Sequence, residues 1–157
     1  MASVYVYDTL KSALQAEFSS TYPIIDIDSV DPVLEQGTDP FLVLEEISTN
    51  EENHGFGDPA AVCMVESGSF LLHVFSPAPE SLSAVRAIGD TLRNFLRNET
   101  FSGVRLRAVA PTDPESLNDG IWTIGGVTFA YEYYFQAPLS LPSAATAVET
   151  PAPVSGI

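Results

Sequence analysis

The stretch Val127-Thr128-Phe129-Ala130-Tyr131-Glu132-Tyr133-Tyr134-Phe135 decides the fold class. Val127, Phe129, Tyr131, Tyr133 and Phe135 share one parity, and Thr128, Ala130, Glu132 and Tyr134 the other. A period of two is what a strand with one buried face needs, because successive side chains leave opposite sides of the pleat. Aromatic and β-branched residues fill the run, and these suit a half-buried pleated surface. Beyond it the composition collapses: Pro138 to Ile157 holds four prolines, one charge and no aromatic residue. The spacing therefore predicts a domain over 1–137 that closes on a strand, followed by an extended Pro/Ala/Ser-rich tail over 138–157.

Two helices are expected ahead of that strand. Tyr7, Leu10, Leu14 and Phe18 give steps of three and four within a helix over about 4–18. A second helix, about 80–97, has Leu82, Val85, Ile88, Leu92, Phe95 and Leu96 as its buried stripe. Arg86, Asp90, Arg93 and Arg97 form another stripe on it, at spacings that let Asp90 meet its neighbours. Ile24, Ile25 and Ile27 predict a short strand, with Asp31-Pro32 and Gly37 to Pro40 as turns. Further strands are expected at Phe41–Ile47, Ala61–Phe75 and Val104–Val109. Gly68 is expected to mark a bulge or kink, Asp113–Gly120 a polar connection and Gly125-Gly126 a turn or bulge. Ser48–Pro59 keeps no period and reads as a mobile surface loop. Segregated helices and strands of this kind predict an α+β fold: a mostly antiparallel sheet with two helices packed on one face.

Charge narrows the function. The net charge of −15 argues against tight binding to nucleic acid or anionic membrane, since phosphates call for a positive surface. From Ser12 to Val85 there is no Lys or Arg, while all five arginines lie between Arg86 and Arg107. One reading is ordinary solvated faces. The other is a subunit with an acidic and a basic side, suited to head-to-tail contacts that close into a ring. On that reading the interface residues are Arg86, Arg93 and Arg97 on one side and Glu45, Glu46, Glu51 and Glu52 on the other. Leu139, Leu141 and Val148, the larger apolar side chains of the tail, are the expected anchors of a docking segment.

Chemistry-bearing residues are sparse. Asp26, Asp28 and Asp31 lack the further ligands, central glycine and distal glutamate of a calcium loop, and in a strand Asp26 and Asp28 share the exposed face. His54 beside Glu51 and Glu52 has no second histidine at ligand spacing. His73 alternates into a strand as a structural histidine, and Cys63, in an apolar run, reads as a buried inert thiol. One cysteine suits a reducing compartment. The N-terminal sequence does not read as a basic-then-apolar leader, and no apolar run reaches spanning length, so no membrane association is expected. No nucleophile elbow, phosphate loop or dinucleotide fingerprint occurs, and no catalytic residue, cofactor or metal is expected.

The order of elements resembles the tail terminator (tail completion) proteins of long-tailed bacteriophages of the lambda-like type. The matching features begin with the N-terminal helix Val4–Phe18 and the strand Phe41-Leu42-Val43-Leu44-Glu45 after a proline. They continue with Ser69–Phe75, the prolines Pro77 and Pro79 before helix two, and Gly120-Ile121-Trp122 before the aromatic strand. The resemblance spans about Val4 to Gln136. It implies a structural, non-enzymatic virion protein that assembles as a hexameric ring at the head-proximal end of the tail tube. Such a ring stops tube polymerisation and presents a surface for head joining. The implied partners are further copies of itself, the tail tube protein and a head-tail connector or head completion protein. DNA would pass through the ring without specific binding, and assembly would take place in the host cytoplasm. Two rival classes remain: another head-tail connector or tail-tube subunit, and a small cytoplasmic enzyme or binding module with a concave polar site.

Overall fold

The computed structural model describes residues 1–56, 61–77, 81–117 and 120–138. In chain order the elements are α1 (Val4–Phe18), β1 (Ile24–Ile25), a one-turn 3-10 helix (Ile27–Ser29) and α2 (Val30–Gln36). They continue with β2 (Phe41–Phe56), β3 (Ala61–Pro77), α3 (Ser81–Leu96), β4 (Thr100–Phe101), β5 (Val104–Leu117) and β6 (Trp122–Pro138). The strands form one six-stranded sheet in the order β1-β2-β3-β6-β5-β4. All pairs are antiparallel except β1 with β2. The fold is α+β, as the period-two run and the two helical stripes predict.

The long helices pack on one face. Ser3 opens α1, its hydroxyl accepting the Val6 N–H at 3.3 Å. Val6, Leu10, Leu14 and Phe18 from α1, and Val85, Ile88, Leu92 and Leu96 from α3, are buried against the sheet. The sheet answers with Leu42, Leu44, Phe70, Leu72, Val74, Val127, Phe129 and Tyr131. Burying each such side chain is worth about 1.5–3 kcal/mol, so this layer carries most of the stability. Leu82, placed in the buried stripe by its spacing, is 48% exposed because it stands in the first turn, before the helix meets the sheet.

The opposite face holds a second, smaller core. Phe41, Val43, Phe75 and Trp122 are buried there beneath Val30, Val33 and Leu34. The region expected as turns thus contains α2, a helix that the Asp31-Pro32 signal conceals: proline is tolerated in a first turn, where its missing N–H has no intrahelical partner. Ile27 lies in the 3-10 turn rather than in β1. Asp26 caps that turn with extended backbone and Asp28 falls inside it, so the two do not share a strand face.

The largest departure is at Ser48–Pro59. Through Phe56 this segment is strand, paired residue by residue with β3 from Ser48↔Ser69 to Phe56↔Val62; residues 57–60 lie outside the described set. Register shifts between Glu46 and Ser48, and between Asn53 and Gly55, explain why no alternation survives. Each extra residue flips the parity of everything after it. Gly68 is regularly paired with Thr49, one pair beyond the first shift, which lies opposite Phe70 and Ser69, so the irregularity belongs to β2. Likewise Asp113 to Leu117 continues β5, with an irregularity between Thr112 and Glu115; Gly126 pairs with both neighbours, while Gly125 pairs only with Val74 of β3 and lies opposite that irregularity, so a bulge, not a turn, occurs here. Gly125 is small for a different reason: a Cβ there would stand 2.4 Å from Cγ1 of Val85 on α3.

Because β2 has, among the described residues, a strand on only one side beyond Val43, its amides should differ by turns. In hydrogen exchange, alternate amides from Ser48 to Gly55 are expected to be slow and their neighbours fast. Uniformly fast exchange would mean that the segment is a loop after all.

Candidate assembly surface

Past Tyr133, where its pairing with β5 ends, β6 continues with β3 and β2 as a three-stranded arm. Glu51, Glu52, Asn53 and His54 on β2 are exposed, and Val62, Cys63, Met64, Val65 and Phe135 are half-buried. Cys63 is therefore not enclosed as its apolar context suggests; it sits where the sheet has no helix over it. Tyr134 is 45% exposed and meets the His54 ring edge-on at 5.0 Å.

A polar clasp ties the root of this arm to the start of α1. Glu66 is 2% exposed and accepts the Ser3 N–H and the Tyr131 hydroxyl, each at 2.9 Å. Beside it Glu46 accepts the Ala2 N–H and the Thr49 hydroxyl, with the terminal amine 3.4 Å away. Burial by itself would raise the Glu46 carboxyl, but these donors outweigh it and hold the group below its ordinary value of 4.5. Burial, reinforced by Glu66 and partly offset by Thr49, pushes the Tyr131 phenol well up. Nothing in the alternation of β3 marks Glu66 out; only the hydrogen bonds from Ser3 and from Tyr131, which pairs with Gly68 two residues along, make a carboxylate there tolerable.

A pH dependence follows. A depressed folded-state value means that Glu46 stabilises the clasp fully above the ordinary carboxylate range, and that this is lost as pH falls through the lowered value. Glu46→Gln should flatten the melting temperature below about pH 4.5 relative to wild type. Parallel curves for the two proteins would remove Glu46 from the clasp.

The structure sorts the expected interface residues into engaged and open ones. Glu46 is held by its own chain, and Glu45 pairs with His73 on the face opposite α1 and α3. Glu51 and Glu52 have no cationic partner among the described residues. Arg93 donates to Asp90 at 3.0 Å, while its Nε is enclosed without an acceptor. It lines a cleft of about 290 Å³ with Arg86, Gly89, Asp90 and the Pro111–Pro114 segment. Arg86 and Arg97 are exposed and make no ion pair among the described residues. Leu139, Leu141 and Val148 lie outside the described residues.

These two sets lie on different elements, the acids on β2 and the arginines on or just after α3. Residues 86–107 carry five arginines against Asp90 and Glu99; the rest of the chain carries Lys11 against the other nineteen of its 21 acids. α3 lies over β6, β5 and β3, and β2 is the strand beyond β3, three strands from β5 and about 14 Å from it at ~4.8 Å per strand. Among the described residues no ion pair joins β2 to α3 or β5.

Among the described residues no group of three or more His, Cys, Asp or Glu side chains converges. Asp26 is paired with Lys11. A wide, open groove between α1 and the Thr100–Ser102 segment has Asp8 as its one acidic group and Tyr5, whose hydroxyl donates to the Ser102 carbonyl at 2.8 Å. Among the described residues no helix is long and apolar enough to cross a membrane.

No protein-family model matches this chain, and no curated protein matches it. Among solved structures, one similar chain is 12% identical over 82% of this chain and 96% of its own, with a TM-score of 0.49, a likeness too slight to bear on function.

Proposed function

We propose that this chain is a structural virion subunit, a tail terminator that forms a ring on the head-proximal end of a phage tail tube. In this reading the ring halts tube growth and offers a face to the head-joining protein, and the chain catalyses nothing. The observation that carries the reading is the arm. A three-stranded sheet extension with half-exposed apolar side chains and unpaired acids is poorly suited to stand alone in water, and it suits a neighbour's surface. The α+β architecture, with two helices on one face, agrees with what the element order implies. The acidic bulk also fits, because DNA passing a negatively lined ring is repelled rather than held.

The test is a tube-growth assay with tube subunits of the same virion. Adding this chain during polymerisation should shorten tubes in proportion to dose, with no effect on tubes already capped. If the chain is incorporated along the tube wall, it is a tube subunit; if tube lengths are unchanged, the terminator reading is wrong.

A further inference from the structure

We infer that the open edge of β2 docks along α3 of a second copy of this chain, resting on the ring reading above. β1 covers β2 only at Leu42 and Val43, so from Leu44 to Phe56 the outer edge faces no strand among the described residues. An uncovered edge is a row of alternate free carbonyls and amides and is normally blunted by proline or covered. The other side of the sheet shows that blunting: β5 carries Pro111 and Pro114. β2 carries no proline but two bulges, and its exposed acids at Glu51 and Glu52 suit a donor-rich occupant.

α3 is that occupant. Arg86 and Arg93 on α3, and Arg97 directly after its last residue, form a row of about 16 Å at ~1.5 Å per residue, against Asp90 as the one acid of the row. Guanidinium forks pair with carboxylates and can also donate to free edge carbonyls, so one stripe answers both needs of the β2 edge. Arg93 lines the α3 cleft with Asp90, and its enclosed Nε is not accessible to a neighbour. Asp90 and Asp113 in the same cleft oppose an acidic strand, so the contact centres on the flanking Arg86 and Arg97. Because edge and stripe are different surfaces of one molecule, with no ion pair between them among the described residues, the contact joins unlike surfaces and repeats from copy to copy.

Charge reversal in pairs tests this. Glu51→Lys/Glu52→Lys makes the edge basic; Arg86→Glu/Arg97→Glu makes the stripe acidic. All four side chains are exposed, and circular dichroism and melting should show both variants folded. Assembly is read by mass in concentrated solution and by ring density at tube ends. Each variant alone should assemble about 100-fold more weakly than wild type, since like charges then face each other. Mixing the two variants should restore assembly with alternating copies, and so should combining all four changes in one chain. Asp28→Lys/Asp31→Lys, a change of equal charge away from the edge, should leave assembly intact. The docking inference is overturned if either variant assembles like wild type, if mixing restores nothing, or if the Asp28/Asp31 control is equally impaired. In those cases a wild-type ring would still stand. Wild type that never associates, in solution or on tubes, overturns the ring reading together with the inference.

Discussion

Replacing Trp122 with alanine is expected to cost about 4 kcal/mol of unfolding free energy and to release α2. Trp122 is 1% exposed at the start of β6 and meets Phe41 edge-on at 5.5 Å, while Phe41 stacks on Phe75 at 4.6 Å. Its indole N–H donates to the Leu34 carbonyl at 3.0 Å, so the ring both fills the smaller core and holds the C-terminal turn of α2. Truncation leaves a cavity on a face with few other buried side chains and strands a carbonyl. Trp122→Phe, which keeps much of the volume and loses the donor, should cost roughly half as much. Urea unfolding with hydrogen exchange on Val30–Leu34 checks both. A loss below about 1 kcal/mol for the alanine variant would mean that α2 is held by something else.

Gly68→Val should cost about 3 kcal/mol or more, because the clash is with backbone. A Cβ at Gly68 would lie 2.1 Å from the Ser48 carbonyl oxygen and 3.0 Å from the Tyr131 ring. β2 and β3 must then part at the root of the arm, next to the Glu66–Tyr131 clasp. Loss of amide protection in the arm should exceed that in α3, and assembly should fall with it. Gly89→Ala is the counterpart: this glycine is inside α3 and an added Cβ meets nothing within 4 Å, so a gain of roughly 0.5–1 kcal/mol is expected. Equal losses for the two variants would show that glycine is required at both sites for another reason.

Where the sequence was legible, one simple period governed a segment. α1 runs over the bounds its apolar spacing predicts, and Val127, Phe129 and Tyr131 face the core in step. It was illegible where two effects overlapped. In β2 the bulges break parity and polar residues occupy both faces, so neither period nor hydrophobicity betrays a strand. In α2 a proline in the first turn looks like a stop. The buried Glu66 was invisible because its reason is tertiary: Ser3 and Tyr131 reach it from 63 and 65 residues away. For the assembly surface, charge blocks singled out Glu51, Glu52, Arg86 and Arg97 as open groups, but could not tell that Glu46 is spent on the chain's own N-terminal segment or Glu45 on His73.

The most direct measurement is electron microscopy of tail tubes from the same virion after incubation with this chain. The account predicts a single ring at one end of each tube, in averages where an arm from each copy bridges to a helix of the next. Bare ends, or the chain spaced along the tube wall, would contradict it.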